Sequence, residues 1–328
     1  MPNSRPTFLL LTAVLALAAP ACRPEPVGEA ESNAAISRPD GVEAISLLGE
    51  PLTAPDLPDA VRAAFQENLL VARAAYDLDR ADADAIIWLG RRTAYLGRYR
   101  EAIEIYSRGL VLHPDEARLL RHRGHRWITV REFDRAIEDL KTAVRLIEGT
   151  EDRVEPDGLP NAAGIPTTTL HFNVWYHLGL AHYLKGEFEQ ALLAWQACLD
   201  VARHDDARVA ATYWLHTTLR RLGLEERARQ LRMEVDPATE LLENDGYLEV
   251  LLLHRGLHTA DEVLGTAADV EVDPVAAPTV AYGVAMWHWL EGRREEGYRM
   301  MERIVRDRGQ WAAFGYVAAE AELARAAG

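Results

Sequence analysis

The sequence predicts an all-α fold, an α-solenoid of helical hairpins. From about residue 59 onward, apolar residues recur with the period of an amphipathic helix, and no alternating strand pattern interrupts them. The same stretch resembles itself at a spacing of 34 residues, which relates Gly90 to Gly124 and Ala102 to Ala136. A repeat of this length is typical of solenoids, because each hairpin buries its apolar face against the next one.

The N-terminus predicts an export signal. Residues 8–19 form an apolar run that is too short to span a bilayer but has the length of a signal-peptide core. The run ends in small residues just before Cys22, which resembles the lipobox of bacterial lipoproteins. The resemblance implies that residues 1–21 are removed and that Cys22 carries a lipid in the periplasm. Simple signal cleavage without lipidation is the alternative.

Residues 22–58 are predicted to be a flexible tether, because they contain six prolines and no sustained helical period. About 35 flexible residues have a root-mean-square reach of roughly 30–35 Å. Such a tether would hold a folded domain clear of a membrane surface.

Four copies of the hairpin follow one another between residues 59 and 237. The third copy shows the pattern most fully, with Gly179 on its first helix and Phe188 and Ala191 on its second. These residue types and spacings resemble the tetratricopeptide repeat (TPR) family, a 34-residue helix–turn–helix unit. The resemblance implies a TPR array over residues 59–237 and a TPR-like helical region with a capping helix over residues 238–328. In the latter region we expect helices near residues 244–256, 279–291, 295–308 and 311–325.

The third copy is displaced by an insertion of 21 residues, 149–169, with the sequence GTEDRVEPDGLPNAAGIPTTT. Loops of this length inside a compact array are usually functional or disordered. Leu159, Ile165 and the prolines favour an ordered loop over the mouth of the groove or along an edge. A mobile acidic excursion is the alternative.

The resemblance also implies that the first helix of each pair lines a concave groove. Positions around the structural glycine of each copy should then share this face. The predicted groove residues are Trp88, Arg91 and Tyr95 from the first copy, Arg121, His122 and His125 from the second, Asn173, Tyr176 and His177 from the third, and Tyr213 and Trp214 from the fourth.

This groove is predicted to be basic and aromatic. Residues 91–135 contain eleven arginines and six acidic residues, in a chain with a formal net charge of −15. A concave surface of one sign attracts the opposite charge, so an acidic or carboxylate-bearing segment of a protein partner is the expected ligand. Packing within the array is the alternative for these side chains. A different alternative is a small-molecule or anion sensor, with a pocket of Arg91, Arg121, His125 and Tyr176 closed by residues 149–169.

Several other classes of function are disfavoured. The sequence lacks a nucleophile elbow, a phosphate loop, a His-Glu-x-x-His motif and a dinucleotide fingerprint, so we expect no enzyme and no cofactor. The acidic composition disfavours nucleic acid. His122, His125 and His177 could meet at a metal, but flanking arginines would repel a cation, and no metal is expected. Cys198 is expected to be an inert buried thiol.

Overall fold

The computed structural model describes residues 40–268 and 276–327. These residues form fourteen α-helices and one two-stranded antiparallel sheet, which confirms the all-α solenoid prediction. Within the same residues, no helix combines the length and the apolar character that a membrane span requires. The elements are β1 (Val42–Ile45), β2 (Pro51–Thr53), α1 (Asp59–Leu78), α2 (Ala83–Tyr95), α3 (Tyr99–Leu112), α4 (Ala117–Thr129), α5 (Phe133–Ile147), α6 (Leu170–Lys185), α7 (Phe188–Val201), α8 (Asp205–Arg221), α9 (Glu225–Met233), α10 (Asp245–His254), α11 (Ala260–Ala268), α12 (Ala276–Leu290), α13 (Arg294–Arg306) and α14 (Phe314–Ala327).

The same close contact joins the two helices of each of the first three hairpins. The glycine of the first helix lies against the side chain sixteen residues later on the second, so the backbones approach as closely as the absent Cβ allows. A Cβ would lie 2.2 Å from Tyr106 at Gly90, 2.8 Å from Leu140 at Gly124 and 2.7 Å from Trp195 at Gly179. The repeat predicted from the sequence therefore matches the repeat in the packing of the helices.

In the first three hairpins, two of the turns between paired helices use left-handed glycines, and the other uses an arginine. Gly97 and Gly186 have φ of 77° and 84°, whereas Arg131 has φ of 66° at the equivalent place in the second hairpin. A non-glycine residue in this region costs on the order of 1 kcal/mol or more. The Arg131 guanidinium binds the carboxylate of Glu320 on α14, with Nε 3.2 Å from Oε2.

Residues 40–58 correct the prediction of a flexible tether. Strands β1 and β2 pair with each other and bury Ala44 and Leu52. The backbone N–H of Arg100 donates to Glu43 over 2.8 Å, and Trp311 Nε1 donates to the carbonyl of Thr53 over 2.7 Å. Strands of four and three residues are too short to show a period, so the sequence pattern did not predict them. The signal segment, Cys22 and the rest of the expected tether lie outside the described residues.

The C-terminal region does more than continue and cap the stack. Helices α2, α4, α6 and α8 contact one another and form a surface that we call the inner face. Helices α10 and α12 pack on α8, and α14 packs on α6. Arg325 on α14 donates to the carbonyl of Leu184 over 2.7 Å, and Arg221 on α8 pairs with Glu322 over 2.7 Å. The chain therefore covers part of its own inner face, and α11 is a helix that the sequence pattern did not predict.

Candidate ligand-binding site

A single carboxylate lies at the centre of the predicted groove residues, and it belongs to the chain itself. Glu155 of the insertion is 6% exposed. Its Oε2 lies 3.2 Å from Arg121 Nη2 and accepts a 2.6 Å hydrogen bond from Asn173 Nδ2, while its Oε1 lies 3.1 Å from His122 Nε2. Helices α4 and α6 thus place three donors around one carboxylate.

The hydrogen bond to His122 fixes which of its ring nitrogens carries the proton. Arg121 Nη1 donates to His122 Nδ1 over 2.8 Å, which leaves the proton on Nε2, 3.1 Å from Glu155 Oε1. Burial, assisted by the charge of Arg121, lowers the pKa of His122 to about 3. Burial alone would raise the pKa of Glu155, but Arg121 and the hydrogen bonds from His122 and Asn173 hold it well below its usual range.

The residues after Glu155 run along α2. We call residues 155–158 the EPDG segment. Arg91 Nη1 donates to the carbonyl of Pro156 over 2.7 Å, and Arg92 Nη1 donates to the carbonyl of Gly158 over 2.9 Å. Gly158 lies so close to α2 that a Cβ would be 1.6 Å from Tyr95 Oη. The insertion is therefore ordered over the predicted groove residues of α2 and α4.

Both ends of the insertion are anchored. Val154 and Thr169 form an antiparallel bridge, and the backbone N–H of Glu155 donates to the carbonyl of Thr168 over 3.2 Å. The hydroxyl of Thr167 donates to Glu243, which precedes α10. The position of Glu155 is thus set by backbone pairing as well as by its carboxylate.

The histidines next to this site are covered by α14. The rings of His125 and His177 lie 4.4 Å apart between centroids, and the ring of Phe314 lies 5.2 Å from the first and 5.8 Å from the second. Tyr176 is buried beside them, and its hydroxyl accepts a 2.9 Å hydrogen bond from Trp214 Nε1. Because Phe314 covers them, these predicted groove residues do not line an open trough.

The structure corrects the placement of the fourth-copy residues. Tyr213 and Trp214 are 1% and 0% exposed and belong to the core. The Tyr213 ring packs 5.0 Å from that of Tyr247 on α10, and the Trp214 ring packs 6.0 Å from that of Tyr282 on α12. Helices α10 and α12 thus cover the face on which a ligand was expected.

The first-copy residues keep partial exposure, and their neighbourhood has an excess of positive charge. Arg91 and Arg92 stack on the ring of Trp88 at 4.5 and 4.9 Å. The Arg126 guanidinium is largely buried, contacts His125 and stacks on Tyr99 at 5.5 Å. Among the described residues, none of these three arginines has a carboxylate oxygen within 4.0 Å. Contacts between helices determine the burial and the pairing of these arginines, and the period of a single helix carries no information on such contacts.

No family model and no curated protein match the chain. Solved structures similar to it include YrrB, described as a TPR protein with an unusual peptide-binding site, at 14% identity over 72% of this chain and 91% of that one, with a TM-score of 0.39. A tetratricopeptide repeat protein from Parabacteroides merdae is 15% identical over 76% of this chain and 93% of that one, with a TM-score of 0.43. The fold and its repeat contacts define a helical-repeat protein, an α-solenoid of stacked hairpins.

Proposed function

We propose that this chain is a non-enzymatic protein–protein interaction scaffold that holds an acidic or carboxylate-bearing segment of a partner on its inner face. The observation that carries the proposal is the environment of Glu155. Arg121, His122 and Asn173 already surround a carboxylate: Asn173 donates a hydrogen bond to its Oε2, and the Arg121 guanidinium and the His122 ring lie 3.2 and 3.1 Å from its oxygens. Charge-assisted hydrogen bonds of this kind are among the strongest that proteins make.

The surrounding charge supports the same ligand chemistry. Arg91, Arg92 and Arg126 add three positive charges beside a site that holds Glu155 and Asp157. A carboxylate that approaches this surface therefore meets an excess of cations, which favours binding. Trp88 and Tyr95 add partly exposed aromatic area of the kind that dominates binding energies in interfaces.

A second candidate function is a sensor for a small carboxylate or anion that sits beneath the insertion. The observation that favours it is the cover itself, since the EPDG segment shields Arg121 and His122 from solvent. The two functions differ in ligand size, because a peptide must displace the segment along its length, whereas a small anion needs only the place of one carboxylate.

Binding of acidic peptides to the Glu155→Gln chain tests the scaffold proposal. The substitution weakens the internal competitor, so we expect acidic dodecapeptides to bind more tightly to this variant than to the wild-type chain. Adding Arg121→Ala should reduce the affinity about tenfold or more, since a charged hydrogen bond is lost. Fluorescence anisotropy at two salt concentrations measures both effects.

The matched control is Arg108→Ala in the same Glu155→Gln background. Arg108 is exposed and only 3.9 Å from Glu104 on its own helix, so this change removes an equal charge away from the site. If the acidic peptides bind no better than counterparts with Asn and Gln in place of the acids, the scaffold proposal is wrong. Binding of succinate or phosphate with no peptide binding would instead support the sensor.

We also propose that the protein is exported and tethered to a membrane in the periplasm through Cys22. We expect cells grown with a radioactive fatty acid to label the protein, and Cys22→Ser to abolish the label, because that thiol is the acceptor. Cys198→Ser is the control and should keep the label, since Cys198 is buried on α7. An unlabelled wild-type chain would leave simple signal cleavage as the explanation of the N-terminal pattern.

A further inference from the structure

Three of the four residues of the EPDG segment contact the inner face, and their contacts differ in what they require of a peptide. Glu155 is held through its carboxylate, by α4 and α6. Pro156 and Gly158 are held through their main-chain carbonyls, by Arg91 and Arg92 of α2. The first contact requires an acid, whereas the carbonyl contacts require only a backbone at the right spacing.

The fourth position requires glycine for lack of space. A Cβ on Gly158 would lie 1.6 Å from Tyr95 Oη and 2.7 Å from Arg91 Nη2. Any larger residue would have to displace the ends of the Tyr95 and Arg91 side chains, which also disturbs the hydrogen bond from Arg91 to Pro156, or push the backbone away from α2. Gly158 does not occupy the left-handed region, so the close approach rather than the backbone conformation excludes other side chains.

The second and third positions contribute differently. Proline at the second position has a fixed φ and no N–H, so it lowers the conformational entropy that an extended peptide loses on binding. The inner face does not recognise the charge of the third residue, because Asp157 has a buried Oδ2 with no hydrogen-bond partner among the described residues. Burial and the nearby Glu243 raise the pKa of Asp157, so an acid there is not favoured.

We infer that the EPDG segment is an internal copy of the ligand, and that the partner segment which the inner face fits has the pattern Glu-Pro-x-Gly. The inference rests on the proposed scaffold function and names its partner. Glutamate supplies the carboxylate, glycine permits the approach to Tyr95, and the two main-chain carbonyls accept from Arg91 and Arg92. The internal segment then keeps the site closed until a partner segment replaces it.

The strength of this internal competition can be estimated. A segment tethered at both ends has an effective concentration of about 1 mM. If a free peptide bound the uncovered site with a dissociation constant of about 1 µM, the tethered segment would weaken its apparent affinity roughly a thousandfold. The wild-type chain should therefore bind free Glu-Pro-x-Gly peptides poorly, and a chain with a displaced segment should bind them well.

The test uses the full chain with Gly158→Ala, which displaces the EPDG segment by the clash with Tyr95. The probe is a fluorescent peptide of residues 152–162, DRVEPDGLPNA. We expect this variant to bind the peptide at least about tenfold more tightly than the wild-type chain does. Gly265→Ala is the matched control, because a Cβ at Gly265 meets no atom within 4 Å, and it should bind as the wild-type chain does.

Three altered peptides test the pattern. The Glu155→Gln and Gly158→Ala peptides should each lose about tenfold or more in affinity. The Asp157→Asn peptide loses the same charge as the Glu155→Gln peptide but should keep its affinity within about threefold. The Glu155→Gln chain is a second variant with a weakened internal segment, for the case in which Gly158→Ala disturbs folding.

The outcomes separate the inference from the function on which it rests. Equal losses for the Glu155→Gln and Asp157→Asn peptides would show general recognition of acids, which overturns the pattern and leaves the scaffold function standing. The pattern is also overturned if neither variant chain binds this peptide while the Glu155→Gln chain still binds other acidic peptides. Failure of every acidic peptide on every chain would overturn the scaffold function as well.

Discussion

Replacing Glu320 with alanine is expected to lower the free energy of unfolding by about 3–5 kcal/mol. The side chains of Arg131 and Glu320 are 3% and 1% exposed, so the substitution leaves a buried guanidinium without its carboxylate. Glu320 also accepts the backbone N–H of Leu47, which links the β1–β2 sheet to α14. Loss of one carboxylate thus weakens two long-range connections at once. Urea denaturation followed by circular dichroism measures the change.

The control is Glu302→Ala on α13, where the exposed carboxylate lies 3.5 Å from Arg306 on the same helix. Exposed pairs of this kind contribute about 0–1 kcal/mol, so little change is expected.

A double-mutant cycle sharpens the test. Arg131→Gly together with Glu320→Ala should be more stable than Glu320→Ala alone, because glycine removes both the buried charge and the positive-φ strain. If the free energy of unfolding of the Glu320→Ala chain is within about 1 kcal/mol of the wild-type value, the Arg131–Glu320 pair does not stabilise the packing of α14.

The stability of the Arg131–Glu320 pair also bears on the candidate site. Glu320 and Phe314 lie on the same helix, and Phe314 covers His125 and His177. If α14 is loosened, the cover over these histidines is loosened with it. The position of α14 therefore affects both the stability of the fold and the accessibility of the inner face.

The hairpins could be predicted from the sequence because their defining contacts are local and repeated. Gly90 and Gly124 each meet the side chain sixteen residues later, so the spacing of small and large residues reports the packing directly. Part of the site follows from the same periodicity. Arg121 and His122 of the second copy and Asn173 of the third meet at one place because successive hairpins stack in register.

The carboxylate that completes the site could not be located from the sequence. Glu155 lies on an insertion whose path has no period, and only its position in a proline-rich acidic stretch beside a basic groove hinted at its role. Phe314 and the burial of Trp214 were missed for a related reason. They depend on α12 and α14 folding onto helices about 70 to 190 residues earlier in the chain, and periodicity within a helix carries no information on such contacts.

Acidification from pH 6.5 to 5.5 is expected to lower the free energy of unfolding by about 4 kcal/mol. Burial lowers the pKa of His122 and His216 to about 3, and it lowers the pKa of His177 and His254 well below the usual 6.5. These rings stay neutral in the folded chain, whereas the unfolded chain binds protons there once the pH falls below about 6.5. Each ring then removes about 1 kcal/mol of stability between pH 6.5 and 5.5, because the unfolded ring is only half protonated at pH 6.5.

The carboxylate of Glu155 does not contribute to this loss. A depressed pKa gives stability that is present above the unfolded value of about 4.3 and is lost only below it. Between pH 6.5 and 5.5 the histidines therefore dominate, and the loss is comparable to the whole stability of an ordinary domain, about 5–15 kcal/mol. Urea denaturation at pH 7.5, 6.5 and 5.5 gives the slope.

The His254→Phe variant tests whether the buried histidines cause the pH dependence of the free energy of unfolding. His254 packs edge-on against His216 with 4.4 Å between ring centroids, and neither of its ring nitrogens has a hydrogen-bond partner among the described residues. Phenylalanine keeps an aromatic ring and removes the titrating group, so the loss of stability between pH 6.5 and 5.5 should be smaller by about 1 kcal/mol. The folded state should also become more stable at neutral pH, because two unsatisfied polar atoms leave the interior. A slope that is unchanged in this variant, or absent in the wild-type chain, would mean that these rings are protonated in the folded protein.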